Sequence, residues 1–550
     1  MSQEQKNNDS DQRKVIYRGN NIITMNPHQS MVEAVGIHGE LIKSVGKLDK
    51  VRQAMGDETE VIDLGNKALL PGFIDAHLHP IAFLFFLFNL DLSNVKSLAE
   101  LQNLIKESTK DRSEDDLIVG LSLKEEEFTD PKERTLPTKW DLDEASPNHP
   151  VFLLRYDGHI GIANTKALKL AGIDDSTEPP EGGEIRRNKK GEITGVLSEL
   201  ATSLVLSKIT MPGPQEIKKA AKEGFQILAS KGITSLQGVV QIEAGAEMGD
   251  LGAFEVPILK SIVDLIPQNL YSLVFAQKPK KLKRIKKAPL DGGEKYSKFK
   301  VGCLKLFADG TYGSATAYMF EPFADQPDKS GFLVNSEENL YEKMKQAHNM
   351  GFQIGIHTIG DKGNRIVVDL YERLLNEHPR EDHRHRIEHA SSLKPDVIKD
   401  MKRLRIIASC QPPFINSEYK WLPKRLGKER CKEVYPIKSL VDAGITVASG
   451  SDCPIEDPDI IMGLHALVTR NGFIPDQCIS MEEALKTYTT NAAYAAFEED
   501  IKGSIEENKL ADFVILEKNP LKVADEEIKK IQVLETIIRG KTVFKKNSNE

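Results

Sequence analysis

The chain has 550 residues, 40% of them hydrophobic, and its 74 Lys and Arg against 82 Asp and Glu leave a net charge of −8. That length supports a sizeable core and exceeds what one small domain needs. The dispersed acidic excess argues against a nucleic-acid binder, and five scattered cysteines without a C-x-x-C fit reduced thiols in a cytoplasmic protein.

Residues 1–13 are polar, lack the apolar stretch of a signal peptide and are expected to be a disordered tail. From 14 to 68 the runs KVIYRG, NIITM, AVGIHGELIKSVG and EVIDLG read as short strands, and 503–545 reads similarly through ADFVIL, VLETIIRG and KTVF. Neither piece can bury a core alone, so the two ends are expected to pair into one composite β-sandwich domain.

Between them, 69–502 alternates strands with helices. The strand candidates are Gly72–His77, Ile233–Val239, Leu270–Ala276, Val301–Phe307, Phe352–His357, Arg386–His389, Ile406–Cys410 and Ile445–Ser449. Helical stretches such as Asn339–Asn349, Asn364–Glu377 and Pro395–Arg403 follow most of them. Eight such units predict an α/β fold, a (β/α)8 TIM barrel. The segment 81–228 is too long for a first crossover, so it reads as an insertion that roofs the catalytic face and sets specificity. Its apolar start, Ile81 to Leu90, is too short to span a bilayer and is expected to form pocket wall. The basic run Lys278 to Lys287 reads as a solvated helix face.

Metal-ligand side chains end several of these strands. In PGFIDAHLHP, His77 and His79 are two apart, so both imidazoles share a strand face and reach one cation while Leu78 points away. Lys305 in VGCLKLFADG shares a face with Cys303 and Phe307. A buried ammonium there is costly unless paired, for example with Asp309, or neutral; a neutral amine reacts with carbon dioxide to give a carbamate, an anionic oxygen ligand. His357 closes FQIGIH, His389 ends RIEH, and Asp452 follows the small residues of ITVASGS. His385 shares the face of His389 but lies about 13 Å below it along a strand, so His383 and His385 read as loop or solvated histidines. Convergence of His77, His79, Lys305, His357, His389 and Asp452 at the carboxyl ends of barrel strands predicts one metal centre. Zinc is the default for such a donor set, as one or two ions, with iron(II) or manganese(II) as alternatives.

The motifs PGFIDAHLH, DGHIGIANTKAL, TGVLSE, KLFADGTYGSATA, IHTIGDKG, HRIEHA, SCQPPF, YPIKSLVDAGITVASGSDCPIEDP and TNAAYAAFEEDIKGSIEENKLADFVIL make the chain resemble the amidohydrolase superfamily. Within it, the resemblance is to the amidohydrolase 3 group, which includes N-substituted formamide deformylases. It implies that His77, His79, Lys305, His357, His389 and Asp452 match the family's metal and catalytic positions, with Lys305 as the carboxylated lysine. His159, Asn164, Glu199, Asp309 and Gln411 match further motif positions; His159, Glu199, Asp309 and Gln411 are taken as substrate-binding candidates. The expected reaction is hydrolysis of an amide, N-formyl or cyclic amide C–N bond in a small molecule. Metal lowers the pKa of bound water from 15.7 to roughly 7, and Asp452 moves the proton. The same centre serves isomerases, decarboxylases and dehydratases, and an inactive regulatory scaffold is a further alternative. Departures from the family pattern are Gly238 after Gln237, Cys453 beside Asp452, and Asn508 at a turn position usually held by glycine, which needs only left-handed tolerance. No membrane partner is expected, and the oligomeric state stays open, with a homodimer as one option.

Overall fold

The computed structural model describes residues 13–547 apart from 57, 111, 157, 181, 210–211, 244–253 and 283–295. At its centre is an eight-stranded parallel sheet. Its strands are β1 (Phe73–Leu78), β2 (Ile233–Gln241), β3 (Asn269–Phe275), β4 (Phe299–Phe307), β5 (Gln353–Thr358), β6 (Arg386–His389), β7 (Ile407–Cys410) and β8 (Val447–Ser449). Each pairs with its sequence neighbours, from β1 through β8. Strands buried on both faces read as near-continuous apolar runs, which is why all eight were legible in the sequence.

The first and last strands close the ring through their ends rather than through a ladder. The Asp452 N–H donates to the His77 carbonyl (2.7 Å) and the His79 N–H to the Cys453 carbonyl (2.7 Å). Gly450 makes this seam possible, because a Cβ there would lie 2.4 Å from the His77 nitrogen. The short helix Thr490–Ala495 plugs the opposite end, where the Ala492 and Ala495 carbonyls accept from Gln237 and Gln353. Helices pack outside, including Glu337–Asn349, Asp361–Glu377 and Pro395–Arg403. The first starts two residues before the expected Asn339, because Ser336 caps it and Glu337 and Glu338 fill its first turn.

Both chain ends share one sheet. In order its strands are Lys541–Lys545, Val533–Ile538, Phe513–Leu516, Ala68–Pro71, Lys14–Ile23, Met31–His38 and Leu41–Gly46, with Glu60–Asp63 also beside Lys14–Ile23. Phe513–Leu516 runs antiparallel to Ala68–Pro71 and joins the two ends. A bridge from Leu41 to Leu510 folds the far strand back around a core that includes Tyr17, Ile37, Phe513 and Ile537. Asn508 takes φ 70°, the left-handed turn expected of it.

The insertion after β1 builds its own six-stranded sheet. Its order is Gly183–Arg187, Ile193–Glu199, Ile160–Ala163, Val151–Arg155, Ile118–Leu123 and Leu90–Asp91, with apolar clusters beside it around Leu101, Ile105 and Leu142 and around Phe152, Leu168 and Leu197. Of the basic run, only Lys278–Leu282 lies within the described residues; Pro279–Lys281 is a single 3-10 turn, and the remainder of the expected helix face lies outside them. Among the described residues no helix is long and apolar enough to cross a membrane.

Candidate functional site

The six converging side chains meet at the carboxyl ends of β1, β4, β5, β6 and β8. The sequence gap between Asp75 and Leu78 is one residue longer than the facing gap on β2, so β1 carries an extra residue beside His77, a bulge that re-aims its side chain. Asp452 Oδ1 lies 3.1 Å from His79 Nε2 and 3.4 Å from His77 Nε2. The ligand atoms of His77, His79 and Asp452 all fall within 4.8 Å of one another. Lys305 Nζ sits 3.3 Å from His77 Nε2, with the lysine 1% exposed. Cys303 and Phe307 share the interior face with Lys305, and the ammonium lies 4.7 Å from the Phe307 ring centre. The His389 ring is 5.1 Å from that of His77 and 4.3 Å from that of His357.

Strand alternation alone would have misplaced His389. On β6 Arg386 and Glu388 face the barrel interior, Ile387 faces the helices, and His389 should follow Ile387 outward. A φ of 72° at His389, rare for a side chain with a Cβ, turns it into the site instead. Asp452, at φ 63°, sits in the same strained region.

Of the two expectations for His383 and His385, the loop holds and the solvation does not: both precede the strand Arg386–His389 and both are buried. His385 stacks on Tyr371, its Nε2 lies 2.9 Å from His348 Nδ1, and its Nδ1 accepts from the Ile354 N–H. His383 lies 3.0 Å from the Leu404 carbonyl through Nε2 and accepts the His385 N–H on Nδ1. Lying six and four residues before His389, they stay far below the site, as the strand rise requires.

A buried ion pair underlies the cluster, and the sequence reading had not singled it out. Glu388 accepts from His77 Nδ1 at 2.5 Å and pairs with Arg386 at 2.5 Å; all three side chains are fully buried. Arg386 also donates to Gln237 Oε1 (2.5 Å), the Ala76 carbonyl (2.6 Å) and Ser409 Oγ (2.7 Å). Burial pushes the Glu388 carboxyl up, but Arg386 and His77 together hold it well below the ordinary range. An anionic Glu388 fixes the proton of His77 on Nδ1 and leaves the Nε2 lone pair free to ligate a cation. Glu388 stands in the motif HRIEHA, and its interior parity on β6 was the signal available. Asp75, also buried, accepts from the Ser451 and His77 N–H groups and from Ser451 Oγ, tying β1 to β8; burial raises its pKa to about 7.

Electrostatics favour neutral imidazoles and a charged Asp452. Burial and then Lys305 lower the His77 pKa; burial and His389 lower that of His357; burial and His77 lower that of His389. Burial raises Asp452, yet the hydrogen bond from His79, above all, holds it below its usual value. His389 Nδ1 is buried with no hydrogen-bond partner among the described residues. A buried donor nitrogen left without a partner, beside two imidazoles and a carboxylate at ligand spacing, fits a divalent cation.

The other motif residues divide into two groups. His159 and Glu199 come from the roof: His159 Nδ1 is 2.7 Å from Glu199 Oε2, and Glu199 Oε1 accepts from Ser314 (3.0 Å) and Thr316 (2.5 Å) on the loop after β4. The His159 ring stands 5.8 Å from that of His357. Asp309, by contrast, takes the N–H groups of Tyr318, Ile359 and Gly360, so it organises the loops after β4 and β5 rather than pairing with Lys305. Asn164 caps the helix Thr165–Ala171 and is buried within the roof. Gln411 is buried beside Ser409, outside the cavity wall.

Above the cluster lies a cavity of about 400 Å³ with a mostly apolar wall, supplied by the roof residues Phe85, Phe86, Leu121 and Leu206 and the barrel residues Phe275 and Phe307. The stretch from Ile81 is a short helix, Pro80–Phe86, that contributes two of these phenylalanines.

The profile of the Amidohydrolase family matches residues 60–544. The chain belongs to the amidohydrolase family. It is accordingly a metal-dependent hydrolase that acts on small molecules. A putative amidohydrolase, YtcJ, from Bacillus subtilis is 31% identical over 97% of this chain and 100% of its own length. An N-substituted formamide deformylase from Arthrobacter pascens is 28% identical over 94% of this chain and 96% of its own. An uncharacterized metal-dependent hydrolase from Pyrococcus horikoshii superposes with a TM-score of 0.73 at 25% identity, covering 93% of this chain and 99% of that one.

Proposed function

We propose that this amidohydrolase hydrolyses a carbon–nitrogen bond of the amide class, with an N-formyl or N-acyl amine as the leading substrate, and that Asp452 is its acid and base. The observation that carries this reading is Asp452 Oδ1, within 3.4 Å of two histidine nitrogens at the foot of an apolar cavity. The similarity to a formamide deformylase supports the choice of bond.

His77, His79, His357, His389 and Asp452 would hold one or two divalent cations, zinc first. Lys305 would join them as its carbamate, formed when the neutral amine adds to carbon dioxide and releases one proton. Its burial at the carboxyl end of a barrel strand, 3.3 Å from His77 Nε2, supports that reading. A bound cation supplies Lewis acidity toward the scissile carbonyl and makes a coordinated water acidic near neutral pH.

The protein's own groups do the rest. Asp452 enters the reaction charged, takes the proton of the attacking water and passes it to the departing nitrogen. Glu388 and Arg386 hold His77 in one tautomer and orientation. His159, locked by Glu199, faces the site from the roof and stabilises the developing oxyanion. The phenylalanine-rich wall excludes water and takes the apolar part of the substrate.

The test is a panel of N-formyl and N-acyl amines turned over in oxygen-18 water by the metal-replete enzyme. One labelled oxygen should enter the product acid, chelation should abolish turnover, and Asp452→Asn should retain metal while losing roughly 10²–10⁴-fold in kcat. A fully active Asp452→Asn enzyme ends the assignment.

A further inference from the structure

Away from the metal cluster, the cavity ends differently from how it begins. Asn335, on the segment after β4, donates from Nδ2 to the Phe307 carbonyl (3.1 Å) and accepts Lys343 Nζ on its Oδ1 (3.2 Å). Phe307 in turn lies 5.3 Å from the His357 ring and 5.5 Å from the Phe275 ring. One chain of contacts therefore runs from His357 through Phe307 and Asn335 to an ammonium group. Gln277, two residues beyond Phe275, lines the same distal end together with Asn339.

Charges in the wall single out Lys343. Arg155 is already neutralised by Glu125, at 2.9 and 3.2 Å, and by Glu126. Lys305 belongs to the metal cluster. Lys343 is half-buried on the helix Glu337–Asn349, and among the described residues no carboxylate lies within ion-pair distance of it. Burial lowers its pKa, and the charge of Glu243 only partly opposes that. A partly desolvated cation whose hydrogen-bond partner among the described residues is an amide oxygen gains from an anion delivered by the ligand. The surroundings agree: Lys343, Gln277 and Asn339 also line an adjoining outer cleft with Lys278, Lys280 and Lys281, of which Lys281 pairs with Glu243.

We propose that Lys343 is a specificity-determining residue that binds a carboxylate at the far end of an apolar substrate arm, so the preferred substrate is an amide whose other end is a carboxylate. This rests on the amide-hydrolase reading above for the reaction, but not for the binding site. Asn335 positions the ammonium, and Asn339 and Gln277, which line the same cavity and cleft, are the polar side chains available to the anion beside it.

Two measurements on the metal-replete full chain test this. The first titrates 4-phenylbutyrate and 4-phenylbutyramide calorimetrically into wild type, Lys343→Met and Lys343→Arg, with melting temperature and metal content confirming that each variant is folded. Wild type should bind the carboxylate about tenfold or more tightly than the amide; Lys343→Met should lose that preference and Lys343→Arg keep it. A carboxylate preference that persists in Lys343→Met places the anion on the metal cluster and overturns the proposal, as does the absence of any preference in wild type. The second compares kcat/KM for N-formyl-6-aminohexanoate and its primary amide. A preference for the acid that vanishes in Lys343→Met supports the proposal, and equal losses on both compounds overturn it. If neither compound turns over while the binding preference behaves as expected, the amide reading falls and the anion site stands.

Discussion

Replacing Arg386 with methionine tests whether the ion pair beneath the metal cluster organises the barrel. The guanidinium is fully buried and holds Glu388, Gln237, Ser409 and the Ala76 carbonyl, contacts that span β1, β2, β6 and β7. Methionine fills similar volume but leaves Glu388 as an uncompensated buried charge. Breaking such a pair from one side costs about 3–5 kcal/mol. At about 2.1 cal/mol/K per residue, a cooperative unit of roughly 400 residues has an unfolding entropy near 0.8 kcal/mol/K, so the melting temperature should fall by about 4–6 °C. Glu388 can escape only by taking up a proton, and His77 Nδ1 then loses its anionic acceptor; metal affinity should drop about 10–100-fold. Calorimetry and metal titration of Arg386→Met, Glu388→Gln and the double variant decide the matter. The double variant should be more stable than Arg386→Met alone, because the stranded charge is gone. A melting temperature within 1 °C of wild type for Arg386→Met, or a double variant that loses the sum of both single effects, would refute this account.

Three further outcomes are expected. Gly450→Ala places a Cβ 2.4 Å from the His77 nitrogen and 2.9 Å from its carbonyl oxygen, backbone that cannot step aside; it should destabilise by roughly 3 kcal/mol and weaken metal binding, and a wild-type melt would show that the seam is looser than described. Glu199→Gln should keep metal content but lower kcat about tenfold or more by releasing His159, so unchanged kcat would remove His159 from the reaction. His348 and His383, with pKa values lowered to about 4 mainly by burial, bind fewer protons in the folded chain than in the unfolded chain, where the histidine pKa is about 6.5; stability should therefore fall as pH drops from about 6.5 to 4. His383→Gln should reduce that slope in melts taken between pH 7.5 and 4.5, and an unaltered slope would contradict it.

The sequence alone was enough for the barrel, and the reasons are local. Strands buried on both faces must be apolar throughout, and polar groups at their carboxyl ends stand out against that background. Spacing of two placed His77 beside His79, and parity set Lys305 among Cys303 and Phe307. Backbone torsion and packing decided the rest. A positive φ at His389 breaks the alternation that would have sent it outward, while His385, out of phase with the interior residues Arg386 and Glu388, packs against Tyr371 and His348 of helices that sequence spacing does not reveal. Asp309 looked like a partner for Lys305, yet backbone N–H groups from two loops claim its oxygens. Glu388, Arg386 and Lys343 were single charged residues in the text of the chain. Only folding shows which charges meet partners and which line the cavity, because charge compensation depends on distances between segments hundreds of residues apart.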